Sequence, residues 1–210
     1  LIPSFLLSIF LVLMLFVFYK TILQDKKSAS LAMFLFLLNG GLGFLWFIGD
    51  LANNGPSVLL SLPREYTLMR DGPNIQWINI IISEFIPQRG FLLGLPLTLL
   101  VFLVLWTVYQ KRGVAVWKII AAGVITGLMP IIHMHSFLVL LGMIGWTALL
   151  VVLREKHIPL KYLFFVFPIL LTAFPIIHTF YPHFGTTPIT FQPGWLAHEG
   201  GDNIFFFWFK

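Results

Sequence analysis

The chain contains no cysteine, which excludes disulfides and thiolate metal sites. Charge is scarce as well: Asp, Glu, Lys and Arg make up 10% of the residues, against about 25% in an average soluble domain. A water-soluble fold of 210 residues has a large surface to cover with polar groups, and this composition cannot cover it. Nucleotide and acyl-transfer signatures are missing too: there is no GxxxxGK[ST], no glycine-rich dinucleotide loop, no nucleophile elbow and no HExxH. No basic n-region with a small-residue cleavage site precedes the first apolar run, so that run is not read as a signal peptide.

What is present is apolar surface. Hydrophobic residues reach 59%, and mean hydropathy is +0.93. A helix needs about 20 mostly apolar residues to cross a bilayer, and in the bilayer core only helices or closed barrels satisfy the backbone. The runs here are too long and too uniform for the alternating strands of a barrel. The sequence therefore predicts an all-α, polytopic bundle of transmembrane helices in a single domain over 1–210. Six spans are expected, at 1–19, 31–49, 91–109, 114–132, 137–153 and 162–180, with a partial seventh at 204–210. Both ends fall within apolar runs, which suggests a piece of a longer protein.

Sidedness follows from the basic residues. Lys20, Lys26 and Lys27, then Lys111, Arg112 and Lys118, then Arg154, Lys156 and Lys161 follow spans one, three and five. The alternate loops hold only Arg64, Arg70 and Arg89. The Lys/Arg bias assigns the first set to the cytoplasm. It also accounts for the net charge of +5 better than nucleic-acid binding would, because the cations lie in short loops rather than on one polar face. Asp50, Glu65, Asp71, Glu84, Glu199 and Asp202, with His133, His135, His178, His183 and His198, then fall on the non-cytoplasmic side of a cell membrane. Only Asp25, Glu155 and His157 fall inside.

Within the membrane, Gly90–Gly94 and Gly123–Gly127 have GxxxG spacing, and Asn39, Gly40, Gly41 and Gly43 form a small-residue patch in span two. Such residues let helix backbones approach closely. Pro130 and Pro175 each open the same run, Pro-Ile-Ile-His, late in spans four and six, and each is expected to kink its helix.

The outer loop, 50–89, is too long for a turn. Gln76, Asn79 and Ser83 share one helical face, with Trp77, Ile78, Ile81, Ile82 and Phe85 covering much of the rest. This predicts an amphipathic helix between Asn74 and Ile86, lying in the interface. Arg89 sits where lipid phosphates would be, and a guanidinium can hold a phosphate through paired hydrogen bonds. An ordinary snorkelling anchor explains it equally. Gln88 and Arg70 flank the same region. His133-Met134-His135-Ser136 fills a tight outer turn, open to phosphate or sugar contact, to a divalent metal with a carboxylate, or to helix capping. No metal or other cofactor is required. His178 emerges at the outer end of span six. Asp50, Asp71 and Glu84 are candidate general bases; Asp50, at the membrane edge, must be solvated or paired.

The run Leu37-Leu38-Asn39-Gly40-Gly41-Leu42-Gly43-Phe44, Pro87-Gln88-Arg89-Gly90 and His133-Met134-His135-Ser136-Phe137, with the layout of spans and outer loops, resembles bacterial multi-pass proteins grouped near the GT-C class of membrane glycosyltransferases. The resemblance implies sugar transfer from a polyprenyl-phosphate donor on the outer face. It also implies an acidic base in an outer loop near the membrane and basic residues on the lipid phosphate. The expected partners are membrane lipid and a lipid-linked sugar. Two alternatives remain open: a transporter or flippase, and a non-enzymatic assembly subunit built on the small-residue seams.

Overall fold

A computed structural model describes residues 2–40, 43–64, 66, 79–86, 88–110, 113–157 and 162–180. Seven α-helices follow in chain order: α1 (Ile2–Leu23), α2 (Lys26–Leu38), α3 (Phe44–Asn54), α4 (Arg89–Tyr109), α5 (Val116–Ile132), α6 (Met134–Glu155) and α7 (Leu163–Phe180). A short 3-10 helix covers Gly55–Leu59 and a π-helical turn covers Ile81–Phe85. Among the described residues there is no strand.

Four of these helices, α1, α4, α6 and α7, are long and apolar enough to cross a membrane. At 17 residues α5 is a shorter apolar helix. The expected count of six spans and a partial seventh is thus met in part. The seventh, at 204–210, lies outside the described residues.

Span two requires a correction, since the run 31–49 is not one helix. The chain leaves the helix after Leu38 and re-enters it at Phe44. At about 1.5 Å per residue, 13- and 11-residue helices reach roughly 20 and 16 Å, short of the ~30 Å hydrocarbon core. Glycine raises the cost of helix by about 1 kcal/mol per residue, and three glycines in five positions make the interruption. The small-residue patch is therefore a break in the helix. A break frees carbonyls that water cannot satisfy in an apolar setting. The buried Asn79 meets this need: its Nδ2 donates to the Leu37 carbonyl at 2.9 Å and the Asn39 carbonyl at 2.8 Å. Its Oδ1 accepts from the Ile81 amide at 2.9 Å. Asn79 is thus not on the wet face of an interfacial helix. Of the helix expected between Asn74 and Ile86, the described part is the turn around Ile81–Phe85, and Gln76 lies outside the described residues.

The chain divides into two units, Leu1–Met33 with Gln88–Thr187, and Phe34–Pro87 with Pro188–Lys210. In the first, α4 packs on α1, α5 and α6, and α5 packs on α7. Phe18 of α1 meets Phe102 of α4 at 5.4 Å between ring centroids. Val101, Leu105, Ile119, Met129, Leu140 and Phe165 lie at the centre of the core. Gly123 faces the Phe165 carbonyl and Pro168, and Gly127 faces Ile169 and Thr172. The order of these pairs makes α5 and α7 parallel. Pro130 and Pro175 stand at the same offset along the chain as Gly123 with Pro168 and Gly127 with Thr172. The two Pro-Ile-Ile-His runs are therefore level with each other in neighbouring helices.

The helices start and stop by local chemistry. Asp25 accepts from the Ser28 amide at 2.7 Å, which caps the start of α2. That bond, with help from neighbouring amides, holds the Asp25 carboxyl below its ordinary value of 3.8. A lowered carboxylate contributes stability that is complete above its unfolded pKa and disappears as pH falls through the folded value. Asp25→Ala is expected to speed amide exchange at residues 26–29 near neutral pH. Acidification below the folded value should bring the protection of these amides in the unsubstituted protein, relative to intrinsic exchange at the same pH, down to that of the variant. Equal exchange in both proteins at neutral pH would contradict the cap.

Candidate functional site

Two polar clusters stand out, one in each unit. The first lies at the end of the bundle where α5 stops and α4 and α6 begin. His133 separates α5 from α6 with extended backbone (φ −161°, ψ 98°), the usual conformation of an N-cap. Its Nδ1 accepts from the Ser136 amide at 3.3 Å and pairs with the Ser136 hydroxyl at 2.8 Å. An accepting Nδ1 places the proton of the neutral ring on Nε2. Nε2 then donates to Gln88 Oε1, 3.4 Å away. A neutral histidine thus caps α6 and reaches across to the residue preceding α4.

Glycine makes this approach possible. A Cβ on Gly90 would lie 2.7 Å from the Ile132 carbonyl, and one on Gly94 would lie 2.7 Å from His133 Cβ. Phe91 presents its ring edge-on to His133 at 5.6 Å, and the His135 ring lies 5.5 Å from that of His133. Arg89 is the first residue of α4, exposed, between Gln88 and Gly90. Among the described residues it has no ion-pair partner; the one salt bridge found is elsewhere. The sequence-predicted residues Gln88, Arg89, His133 and His135 are thus brought to one end of one unit. His178 sits in the last turn of α7, exposed, with its ring stacked on Phe174 at 6.3 Å. No carboxylate belongs to this cluster among the described residues.

The second cluster surrounds Asp50, in the middle of α3 rather than after it. Its carboxylate is buried, with 11% of the side chain exposed, and it is held on both oxygens. Arg64 grips it as a fork, Nη2 to Oδ1 at 2.9 Å and Nε to Oδ2 at 2.8 Å. The Tyr66 hydroxyl donates to Oδ2 at 2.8 Å. Burial, then the Asp50 carboxylate, push the Tyr66 hydroxyl above its ordinary value of 10.0. The Tyr66 ring packs edge-on against Phe47 at 5.4 Å, and the Arg64 guanidinium lies 5.9 Å from the Trp46 ring centroid. The expectation that Asp50 must be solvated or paired resolves as pairing. For Asp50 to accept a proton from a substrate, Arg64 and Tyr66 would first have to release it.

Of the other candidate bases, Glu84 is half-buried in the π-helical turn of the same unit as Asp50. Asp71 lies outside the described residues, as does Arg70. Among the described residues no group of three His, Asp or Glu could hold a metal ion. The sequence named Ser136 with His133 and left helix capping open for that turn, and the structure shows the cap; it did not single out Phe91 beside His133, or Arg64 and Tyr66 around Asp50. Arg64 and Tyr66 carried no such signal, standing 14 and 16 residues from Asp50 across irregular chain.

Compared with family models, curated proteins and solved structures, the chain matches none.

Proposed function

We propose that the protein is a membrane glycosyltransferase that takes a sugar from a polyprenyl-phosphate carrier on the non-cytoplasmic face. The observation that carries this reading is the convergence of Gln88, Arg89, His133 and His135 where α4 and α6 begin. The starts of α4 and α6 present positive dipole ends, which favour an anion. Arg89 adds a permanent cation able to hold phosphate oxygens in pairs. The Gln88 side-chain amide, whose oxygen is held by His133, adds a neutral NH2 donor suited to phosphate or sugar oxygens. The face itself is assigned from the basic loops. Glu84 and Asp71 remain the candidates for the base, alongside an Asp50 released from its clamp.

A second reading, a transporter or flippase, is favoured by one observation. The break between α2 and α3 interrupts an apolar run near its middle, and transporters build substrate sites on discontinuous helices.

The test is turnover of a polyprenyl-phosphate sugar by the purified full-length protein, followed as released polyprenyl phosphate. Arg89→Ala combined with His133→Ala is expected to lower turnover at least a hundredfold. Unchanged turnover would remove both residues from the mechanism. Substrate uptake into sealed vesicles without product would replace the transferase by the transporter.

A further inference from the structure

A groove lies between α5 and α7 beside their glycine seam. The helices touch at Gly123 and Gly127, and next to this contact a cavity of about 740 Å³ opens between them. That volume falls in the range of small-molecule sites, about 300–1,000 Å³. Ile120 and Val124 of α5 and Phe164, Phe167 and Leu171 of α7 form its walls, which are entirely apolar. The hydroxyl of Thr172, also at the wall, is spent on the Pro168 carbonyl at 2.7 Å.

A charge stands beyond one end of the cavity. Trp117, Ile120 and Val124 fall at i, i+3 and i+7, so Trp117 is on the same face of α5 as the two lining residues, one turn nearer the start of the helix. Trp117 is 66% exposed, and the Lys118 ammonium lies 5.7 Å from its ring centroid. Lys118 stands in the first turn of α5, where a cation is disfavoured by the helix dipole. Among the described residues no acid pairs with it. A ligand with a long apolar part and an anionic end would satisfy both halves of this arrangement.

We propose that the α5–α7 groove holds a hydrocarbon chain of an anionic bilayer phospholipid whose head-group phosphate meets Lys118. The apolar walls exclude a polar ligand. The unpaired cation near that end favours an anionic lipid over a zwitterionic one, whose phosphate charge is already offset by its own choline. The proposal stands apart from the glycosyltransferase reading, since it concerns neither Arg89 nor His133.

The experiment uses the full-length protein in phosphatidylcholine vesicles that contain an equal small fraction of either brominated phosphatidylglycerol or brominated phosphatidylcholine. Bromine on the acyl chain quenches tryptophan on contact, and the emission of Trp117 is obtained by difference from a Trp117→Phe protein. Brominated phosphatidylglycerol is expected to quench Trp117 at least twofold more than brominated phosphatidylcholine. Lys118→Gln should abolish that preference, and Val124→Phe, which fills the groove, should abolish it with Lys118 intact. Equal quenching by the two lipids overturns the proposal. So does a preference that survives Val124→Phe, which would mean surface attraction alone. Absence of quenching by either lipid also overturns it, and would place a protein segment in the groove. Vesicle-reconstituted variants with unchanged helical circular dichroism qualify for comparison.

Discussion

Gly123→Ala is expected to lower the thermal midpoint of the protein, because the added methyl would meet a backbone carbonyl. A Cβ built on Gly123 stands 2.5 Å from the Phe165 oxygen and 3.1 Å from Pro168 Cβ. Neither atom is the far end of a flexible side chain, so α5 and α7 must separate. Overpacking of this kind costs about 1–3 kcal/mol, against the ~1 kcal/mol that alanine gains over glycine in a helix, so the net loss reaches about 2 kcal/mol. For a chain of this size the midpoint should fall by up to roughly 8 °C. Gly127 faces Thr172 and Ile169 as closely, so Gly127→Val should act in the same direction. Gly49→Ala supplies the control: nothing lies within 4 Å of its Cβ position, and the helix-propensity gain should appear alone. A fluorescence or light-scattering melt in one detergent, comparing all three, decides the matter. An unchanged midpoint for Gly123→Ala would show that the seam is looser than the distances require.

The Asp50 clamp gives the second large effect. Arg64→Ala leaves a buried carboxylate with the Tyr66 hydrogen bond alone, without its ion pair or the Nη2 bond. An unsatisfied buried polar group costs about 1–3 kcal/mol. Because 44% of the Arg64 side chain is exposed, solvent compensates part of this, and a loss of about 1–2 kcal/mol is expected. Asp50→Ala should destabilise similarly, since it strands the Tyr66 hydroxyl. The double substitution should cost less than the sum, with a coupling of roughly 1 kcal/mol between the two positions. Strict additivity in a denaturation cycle would mean that the pair is solvated. Tyr66 adds a signature at high pH. Its hydroxyl is held above 10.0, so its contribution is complete below pH 10 and is lost as pH rises through the raised value.

The sequence was most legible where apolar runs are uninterrupted. The spans expected at 1–19, 91–109, 137–153 and 162–180 correspond to α1, α4, α6 and α7, because a helix in lipid must satisfy its own backbone over the whole run. Both glycine pairs sit at close helix contacts, as GxxxG spacing predicts. Span two was misread for a physical reason. Hydropathy counts Gly40, Gly41 and Gly43 as compatible with lipid, but it does not count the helix propensity they lack. Asn79 was misplaced by the assumption of continuous helical period through Gln76 and Ser83, whereas its amide is committed to carbonyls of α2 and the break. The gathering of Gln88, Arg89 and His133 was legible because each borders a span whose direction alternates. The partners of Asp50 were not, because no periodicity relates α3 to the irregular chain that follows the 3-10 helix.

The stitch at the α2–α3 break also constrains the order of biosynthesis. Asn79 lies 42 residues after Leu37 and 40 after Asn39, so both carbonyls leave the ribosome well before their donor is translated. In the interval they must keep water or a temporary partner. Final burial of those two carbonyls therefore waits until the later segment has arrived.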